Sequence, residues 1–249
     1  VERPDHVLVP DRRRLDVLAQ GQPVHGERAA VQHRQEPAQE GAQEDLAAQI
    51  EAAWQNRDQR AELETALRRL EAHTSANPSD AAALTQYARA LHLLGDTHQR
   101  FAGETDAMLM TFERGVQAGE LAMMASSPEF AEKVKGGAKV EDAVKLIPAT
   151  GQAAIYWYAT NLGKFAAAKG FTTRLFYKDR IFAVMQHVMA LDETFFYAAP
   201  HRYFGAFYAL APAFAGGDMN KSKEHFERSL TLDERYLGTK TLYAEYYAA

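Results

Sequence analysis

Apolar residues in this chain return at every third or fourth position, and no stretch alternates polar with β-branched residues, so helices are the regular structure that buries its hydrophobic faces. Leu46, Ile50, Ala53 and Trp54 form one stripe. After the Asn56-Arg57-Asp58 break, Leu63, Leu67 and Leu70 form a second, which predicts two short antiparallel helices. Asn77-Pro78-Ser79-Asp80 supplies a stop, a turn and an N-cap ahead of Leu84, Tyr87, Ala88 and Leu91, and Gly95-Asp96 reads as the close of that helix. A longer helix carrying Phe101, Met108, Phe112 and Leu121 ends at Ser126-Ser127-Pro128, because the residue before a proline is pushed out of the helical region. After short pieces around Phe130 and at 140–144, three strong helices are expected at 149–169, 178–191 and 199–212, then two more at 219–232 and from 238 onward. The class is all-α.

Residues 1–43 read differently. They hold no aromatic residue, contain Pro4, Pro10, Pro23 and Pro37, and are studded with Gln, Arg and His. Such a segment buries too little apolar surface to offset the entropy of ordering it, so an irregular or mobile arm is expected there. A single helical domain follows over 44–249. Of the 26 aromatic residues, 21 come after Gly151, which puts the most heavily packed part at the C-terminal end.

The balance of 28 Lys+Arg against 33 Asp+Glu gives a formal charge of -5, with no basic run longer than Arg12-Arg13-Arg14. Affinity through phosphate neutralisation is therefore not expected, and neither is a nucleic-acid partner. The absence of cysteine excludes thiolate metal sites, cysteine nucleophiles and redox switching, but is silent on compartment. The longest uncharged stretch, 146–163, approaches the length of a membrane span, yet Pro148, Thr150, Gly151, Gln152, Thr160 and Asn161 make it too polar, and a helix buried in protein is the better reading. The chain does not begin with a charged-then-apolar leader.

Residues 77–96 resemble the first helix of a tetratricopeptide repeat, with a proline-led turn, Leu84, the large-small pair Tyr87-Ala88, Leu91 and a closing Gly-Asp. A second copy has Phe204-Gly205 and Tyr208 on its first helix, and Gly217-Asp218 leading to Phe226, Ser229 and Leu232 on its second. A small residue at 88 or 205 lets the partner helix approach, and an aromatic residue three or four places on fills the gap. Residues 46–76 look like a third, degenerate copy. The expected architecture is thus an array of tetratricopeptide-like helical hairpins, an α-solenoid or compact right-handed helical array.

Between the copies lies material that ordinary tandem arrays lack. Phe112-Glu113-Arg114-Gly115 with Glu120-Leu121, Ser127-Pro128-Glu129-Phe130, the run Ala153-Ala154-Ile155-Tyr156-Trp157-Tyr158-Ala159-Thr160-Asn161-Leu162-Gly163, Arg202-Tyr203-Phe204-Gly205-Ala206-Phe207-Tyr208 to Pro212, and Gly216-Gly217-Asp218 to Phe226 follow in an order that resembles the T component (TatT) of TRAP transporters, over roughly residues 80–249. The resemblance implies a non-enzymatic, all-helical periplasmic protein, usually a lipoprotein, that pairs with the solute-binding protein of a TRAP transporter and can form a homotrimer with a channel through it. A small hydrophobic or organic-acid ligand is the cargo such a role implies. The lipoprotein cysteine of that family is absent from this chain, so no membrane anchor is visible, and the chain stops at Tyr246-Tyr247-Ala248-Ala249 where members of the family continue.

For chemistry, nine histidines offer no i, i+4 pair, and His92 and His98 are six apart and face different directions, so no metal is expected. Glu224-His225 reads as a solvated stretch of helix, and Asp192-Glu193 as turn residues or the start of a cap. Gly136-Gly137 and Gly216-Gly217 lack the Lys-Ser/Thr of a phosphate loop. No catalytic pair and no cofactor are expected, and the protein is read as a non-enzyme. On the helix at 149–169, Ile155, Tyr158, Leu162 and Phe165 share one apolar stripe, and Trp157, Asn161 and Lys164 share another face with Ala154 and Ala168. That second face is either an indole and a buried amide satisfied by neighbouring backbone, or a pocket wall in which Trp157 stacks and Asn161 and Lys164 orient a polar group. On the next helix Ile181, Val184, Met185 and Val188 are core, leaving Arg180 and His187 to line a cleft. By repeat geometry Thr85, Arg89, His92 and Arg202 occupy concave-groove positions, where the two arginines either favour a carboxylate or make ordinary surface pairs. The leading function is an accessory component of a TRAP-type uptake system, docking its solute-binding protein and guiding a hydrophobic or carboxylate ligand. The alternative is a generic tetratricopeptide scaffold holding a protein or peptide partner in its groove.

Overall fold

The computed structural model describes the backbone of residues 36–248 and the side chains of 46–247. The expected arm therefore lies outside the described residues up to position 35. Among the described residues every regular element is helical. The helices are α1 (Glu36–Gln55), α2 (Arg60–Ala76), α3 (Ala81–Leu93), α4 (Thr105–Ser126), α5 (Pro128–Lys135), α6 (Val140–Ala143), α7 (Gln152–Lys169), α8 (Phe171–Leu191), α9 (Phe195–Leu210), α10 (Met219–Leu232) and α11 (Leu237–Tyr243). The first helix thus takes in the last residues of the segment read as an arm.

Local chemistry sets several boundaries. Asp80 caps α3 by accepting from the Ala83 amide at 2.9 Å. Ser127 caps α5, with Pro128 at the first helical position, where a missing N–H costs nothing. Asp218 caps α10 through the amides of Asn220 and Lys221. Consecutive helices pack as hairpins, α1 on α2, α3 on α4 and α9 on α10, and α7 docks on α3, α4 and α8. The core runs through them continuously from Ile50 and Trp54 to Val188 and Phe204.

Glycines mark the closest approaches. A Cβ on Gly119 would stand 2.7 Å from the Tyr158 Cα, and one on Gly115 would stand 2.3 Å from Asn161 Oδ1, so α4 and α7 touch almost backbone to backbone. Gly205 receives the Phe226 ring, whose nearest atom would lie 2.8 Å from an added Cβ, and the Ser222 hydroxyl donates to the Gly205 carbonyl at 2.8 Å.

Four local expectations are corrected. Gly95-Asp96 does not close α3: the helix continues through a π turn at Leu94–Gln99, because Gly95 makes room for the Phe112 ring. Phe101 consequently ends that continued helix instead of lying on α4 and is exposed, while Met108, Phe112 and Leu121 do face the core. The helix expected from 178 starts at Phe171, directly after Gly170 at φ +107°, which breaks the chain direction seven residues earlier than the periodicity indicated. The helix expected from 199 is preceded by three left-handed residues, Phe196, Tyr197 and Ala198, at φ 47°, 59° and 56°. Left-handed backbone disfavours L-residues by about 1–2 kcal/mol each, so something must hold this turn in place.

Candidate ligand cavity and its aromatic wall

Arg202 holds it. Only 5% exposed, its guanidinium donates to the carbonyls of Phe196, at 2.8 Å, and of Tyr197, and sits 4.2 Å over the Tyr236 ring. The fork is thereby engaged within the chain. The turn it fixes places Phe196 edge-on to Trp157 at 5.3 Å and beside Tyr156 at 5.7 Å. Trp157, from α7, also meets His92 at 5.5 Å, so residues of α3, α7 and α9 share one aromatic wall. Burial pushes the Tyr156 phenol up to about 12.

Asn161 is fully buried, and its amide nitrogen donates to the carbonyls of Ala88 at 3.0 Å and Trp157 at 2.7 Å. Its oxygen, pressed toward Gly115, has no partner among the described residues. The side chain thus ties α3 and α7 together under α4.

On one side of the wall lies a cavity of about 640 Å³ between α7, α8, α9 and the chain from Tyr236 to Tyr246. Its apolar lining includes Phe171, Leu175, Ile181, Met185, Phe207 and Leu210. Arg100, Lys164, Arg174, Lys178 and Arg202 bring positive charge to it, against Asp96 and Glu245. Lys164 meets Asp96 at 2.6 Å. Burial opposes ionisation of Asp96, but this ammonium outweighs it and holds the carboxyl below the usual range. Arg174 is exposed and has no carboxylate partner among the described residues. Phe171 and Leu175, half exposed, stand beside Arg174 and Lys178 on the same helical segment, so the mouth presents apolar and cationic stripes together.

The residues singled out in the sequence do not converge on one site. Lys164, His92 and Arg202 line the cavity; Trp157 and Asn161 stand behind its lining. Arg180 pairs with Glu141 at 2.8 Å, and His187 meets the Ile147 carbonyl at 3.0 Å, so both face the 140–147 segment. The Thr85 hydroxyl donates to its own helix at Ala81. Asp96, Arg174, Phe171 and Leu175 were missed, although the i, i+4 spacing of Phe171 with Leu175 and of Arg174 with Lys178 was a usable signal once the helix is extended back to Gly170.

The reading of Glu224-His225 is corrected in half: Glu224 is exposed, but His225 is half-buried, stacks on Tyr208 at 5.6 Å and shares a hydrogen bond of 2.9 Å with His201. His201 in turn meets Glu193, which pairs with Arg228. The Arg228 and then the His201 hydrogen bond hold the Glu193 carboxyl near 2. Asp192 acts as a turn residue, accepting from the Thr194 amide at 2.8 Å. Among the described residues no three His, Asp or Glu side chains gather as a metal site.

Desolvation in the cavity wall lowers His92 to about 4, against a small opposing pull from Asp96. The folded chain therefore keeps His92 neutral where the unfolded chain takes up a proton, so stability falls as pH drops from about 6.5 toward 4. Urea titrations at pH 7 and pH 4.5 should show a loss of about 2 kcal/mol from this group, discounted because part of the ring faces the cavity. His92→Leu should remove that part of the pH dependence; an unchanged slope would place the origin elsewhere.

Fold and site together define a helical-hairpin scaffold with a cavity of about 640 Å³ whose lining is mostly apolar and carries more cations than acids. Residues 63–249 match the family of the TRAP transporter T-component, and the chain belongs to that family. It is a component of a TRAP transporter. A search of curated proteins gave no match. Among the described residues no helix is long and apolar enough to cross a membrane.

Proposed function

We propose that this protein is a non-enzymatic, periplasmic accessory subunit that docks the solute-binding protein of its TRAP system and takes a small apolar or organic-acid ligand into the cavity between α7, α8 and α9. Membership of the T-component family supports the partner. The observation that carries the ligand is the cavity itself: about 640 Å³, apolar in its depth, with more cations than acids around it. A ligand with a carboxylate head and an apolar body satisfies both features, because its charge meets Lys164, Arg174 and Lys178 while its body covers Phe171 and Leu175. Assembly as a homotrimer and attachment to a membrane in the native form complete the reading.

Native mass spectrometry of the protein, alone and mixed with the solute-binding protein of its TRAP system, tests this directly. A complex with that subunit, or a retained small acid displaced when Arg174 and Lys178 are both changed to Glu, is the expected outcome. A protein that neither associates nor retains any small molecule refutes the proposal.

A further inference from the structure

On the far side of the aromatic wall, Arg89 stands apart from the other arginines. Its guanidinium carbon lies 4.8 Å from the Trp54 ring, 5.5 Å from Trp157 and 5.4 Å from Phe196, so three aromatic faces surround a half-buried cation. Among the described residues it makes no ion pair and no hydrogen bond, whereas Arg180 has Glu141, Arg114 has Glu71 and Tyr87, Arg60 has Glu104 and Arg202 has two carbonyls. The exposed Arg174 is the other described arginine in that condition, and it has water. A guanidinium carries five donors, and withdrawing them from water behind rings that return no acceptor is unfavourable unless an acceptor arrives from elsewhere.

The surroundings sharpen this. Arg57 lies against the same indole, 4.9 Å from the Trp54 ring, with one donor engaged by the Trp54 carbonyl at 3.0 Å. Two cations therefore flank one ring, and among the described residues no carboxylate pairs with Arg89. A positive, partly dehydrated position with planar walls favours a planar, weakly hydrated anion that accepts two parallel N–H bonds, which is a carboxylate. None of Arg89, Trp54, Trp157 or Phe196 lines the 640 Å³ cavity, so this is a second position, separated from it by Tyr156, Arg202 and Tyr236.

We infer that Arg89, walled by Trp54, Trp157 and Phe196, is a receptor for a carboxylate group borne by an apolar organic acid or by the end of a peptide chain. This deepens the ligand half of the proposed function and rests on it for the source of the acid alone.

The chain holds two tryptophans, Trp54 and Trp157, and both border Arg89, so intrinsic emission excited at the indole band reports this position directly. The full chain would be titrated with phenylacetate and, separately, with acetyl-Gly-Phe, each against its uncharged amide. At least one acid is expected to give a saturable change, with its amide weaker by about tenfold or more. In Arg89→Gln the acid should lose that advantage. Arg89→Lys, checked for folding by circular dichroism alongside, should keep the charge but recover little of it, because an ammonium offers no planar fork. A response to phenylacetate identifies a free organic acid as the source; a response to acetyl-Gly-Phe alone identifies a chain end. No saturable response to either acid, equal responses to acid and amide, or unchanged binding in a folded Arg89 variant would each overturn the inference. The titration contains no solute-binding protein, so its failure and a failure to dock are separate results.

Discussion

Gly119→Ala is expected to destabilise the protein by about 3 kcal/mol or more, although alanine is by itself the better helix former by about 1 kcal/mol. The added methyl would stand 2.7 Å from the Tyr158 Cα, 2.9 Å from its Cβ and 3.0 Å from its amide nitrogen. Backbone atoms cannot swing aside as a flexible side chain does, so α4 and α7 must separate along a seam that holds Phe112, Val116, Ala122, Ile155 and Leu162. Gly115→Ala should act in the same direction, because its methyl would fall 2.3 Å from Asn161 Oδ1 and dislodge the amide that ties α7 to α3. Gly163→Ala is the control. It lies in the same α7 with no atom within 4 Å of its would-be methyl, so it should raise stability by about 0.5–1 kcal/mol. Urea unfolding midpoints compare the three. If Gly119→Ala matched Gly163→Ala, the close seam between α4 and α7 would be wrong.

Arg202→Ala should lower stability by about 3 kcal/mol, far more than an exposed ligand-binding arginine would. Truncation strands the carbonyls of Phe196 and Tyr197, removes the cation from the Tyr236 ring at 4.2 Å, and leaves three left-handed residues without their clamp. Arg202→Lys should restore only part of this, since one ammonium cannot span two carbonyls in a fixed fork. Because the turn positions Phe196 against Trp157, tryptophan emission should shift in the same variants even where the fold survives. Arg89→Gln, by contrast, breaks no internal hydrogen bond and should stay within about 1 kcal/mol of the parent. Thermal melts of the two arginine variants separate the roles. A loss below about 1 kcal/mol for Arg202→Ala would show that the turn stands without it.

The two arginines illustrate where reading the chain reached its limit. Their positions in the repeat helix at 77–96 and in the helix expected at 199–212 gave both the same groove role. In the structure one is closed on carbonyls five and six residues back in the chain, and the other is left open among rings from α1, α7 and α9. Asn161 carried two readings, and its nitrogen meets backbone carbonyls while its oxygen meets none. Glu224-His225 read as a solvated stretch of helix, yet His201, twenty-four residues earlier, closes over His225.

What the amino-acid sequence determined by itself is what short-range physics controls. The three- and four-residue spacing of Leu63, Leu67 and Leu70, of Leu84, Ala88 and Leu91, and of Ile181, Val184 and Val188 decided that these segments are helices and which face of each is buried. Asp80 and Asp218 decided where helices begin, because a cap needs only its own next three residues, and Ser127-Pro128 decided where one ends. Five ordered segments were enough to place the chain in the T-component family. Only the tertiary structure decided the π turn after Leu93, the left-handed turn in the first residues of α9, the cavity and the partner of each buried polar group. These depend on contacts that helix periodicity does not specify, from Arg202 with carbonyls five and six residues back and Gly95 with Phe112 to Asn161 with Ala88 and Lys164 with Asp96. Periodicity fixes the direction in which a side chain points from its helix, and helix-on-helix packing fixes what it meets there.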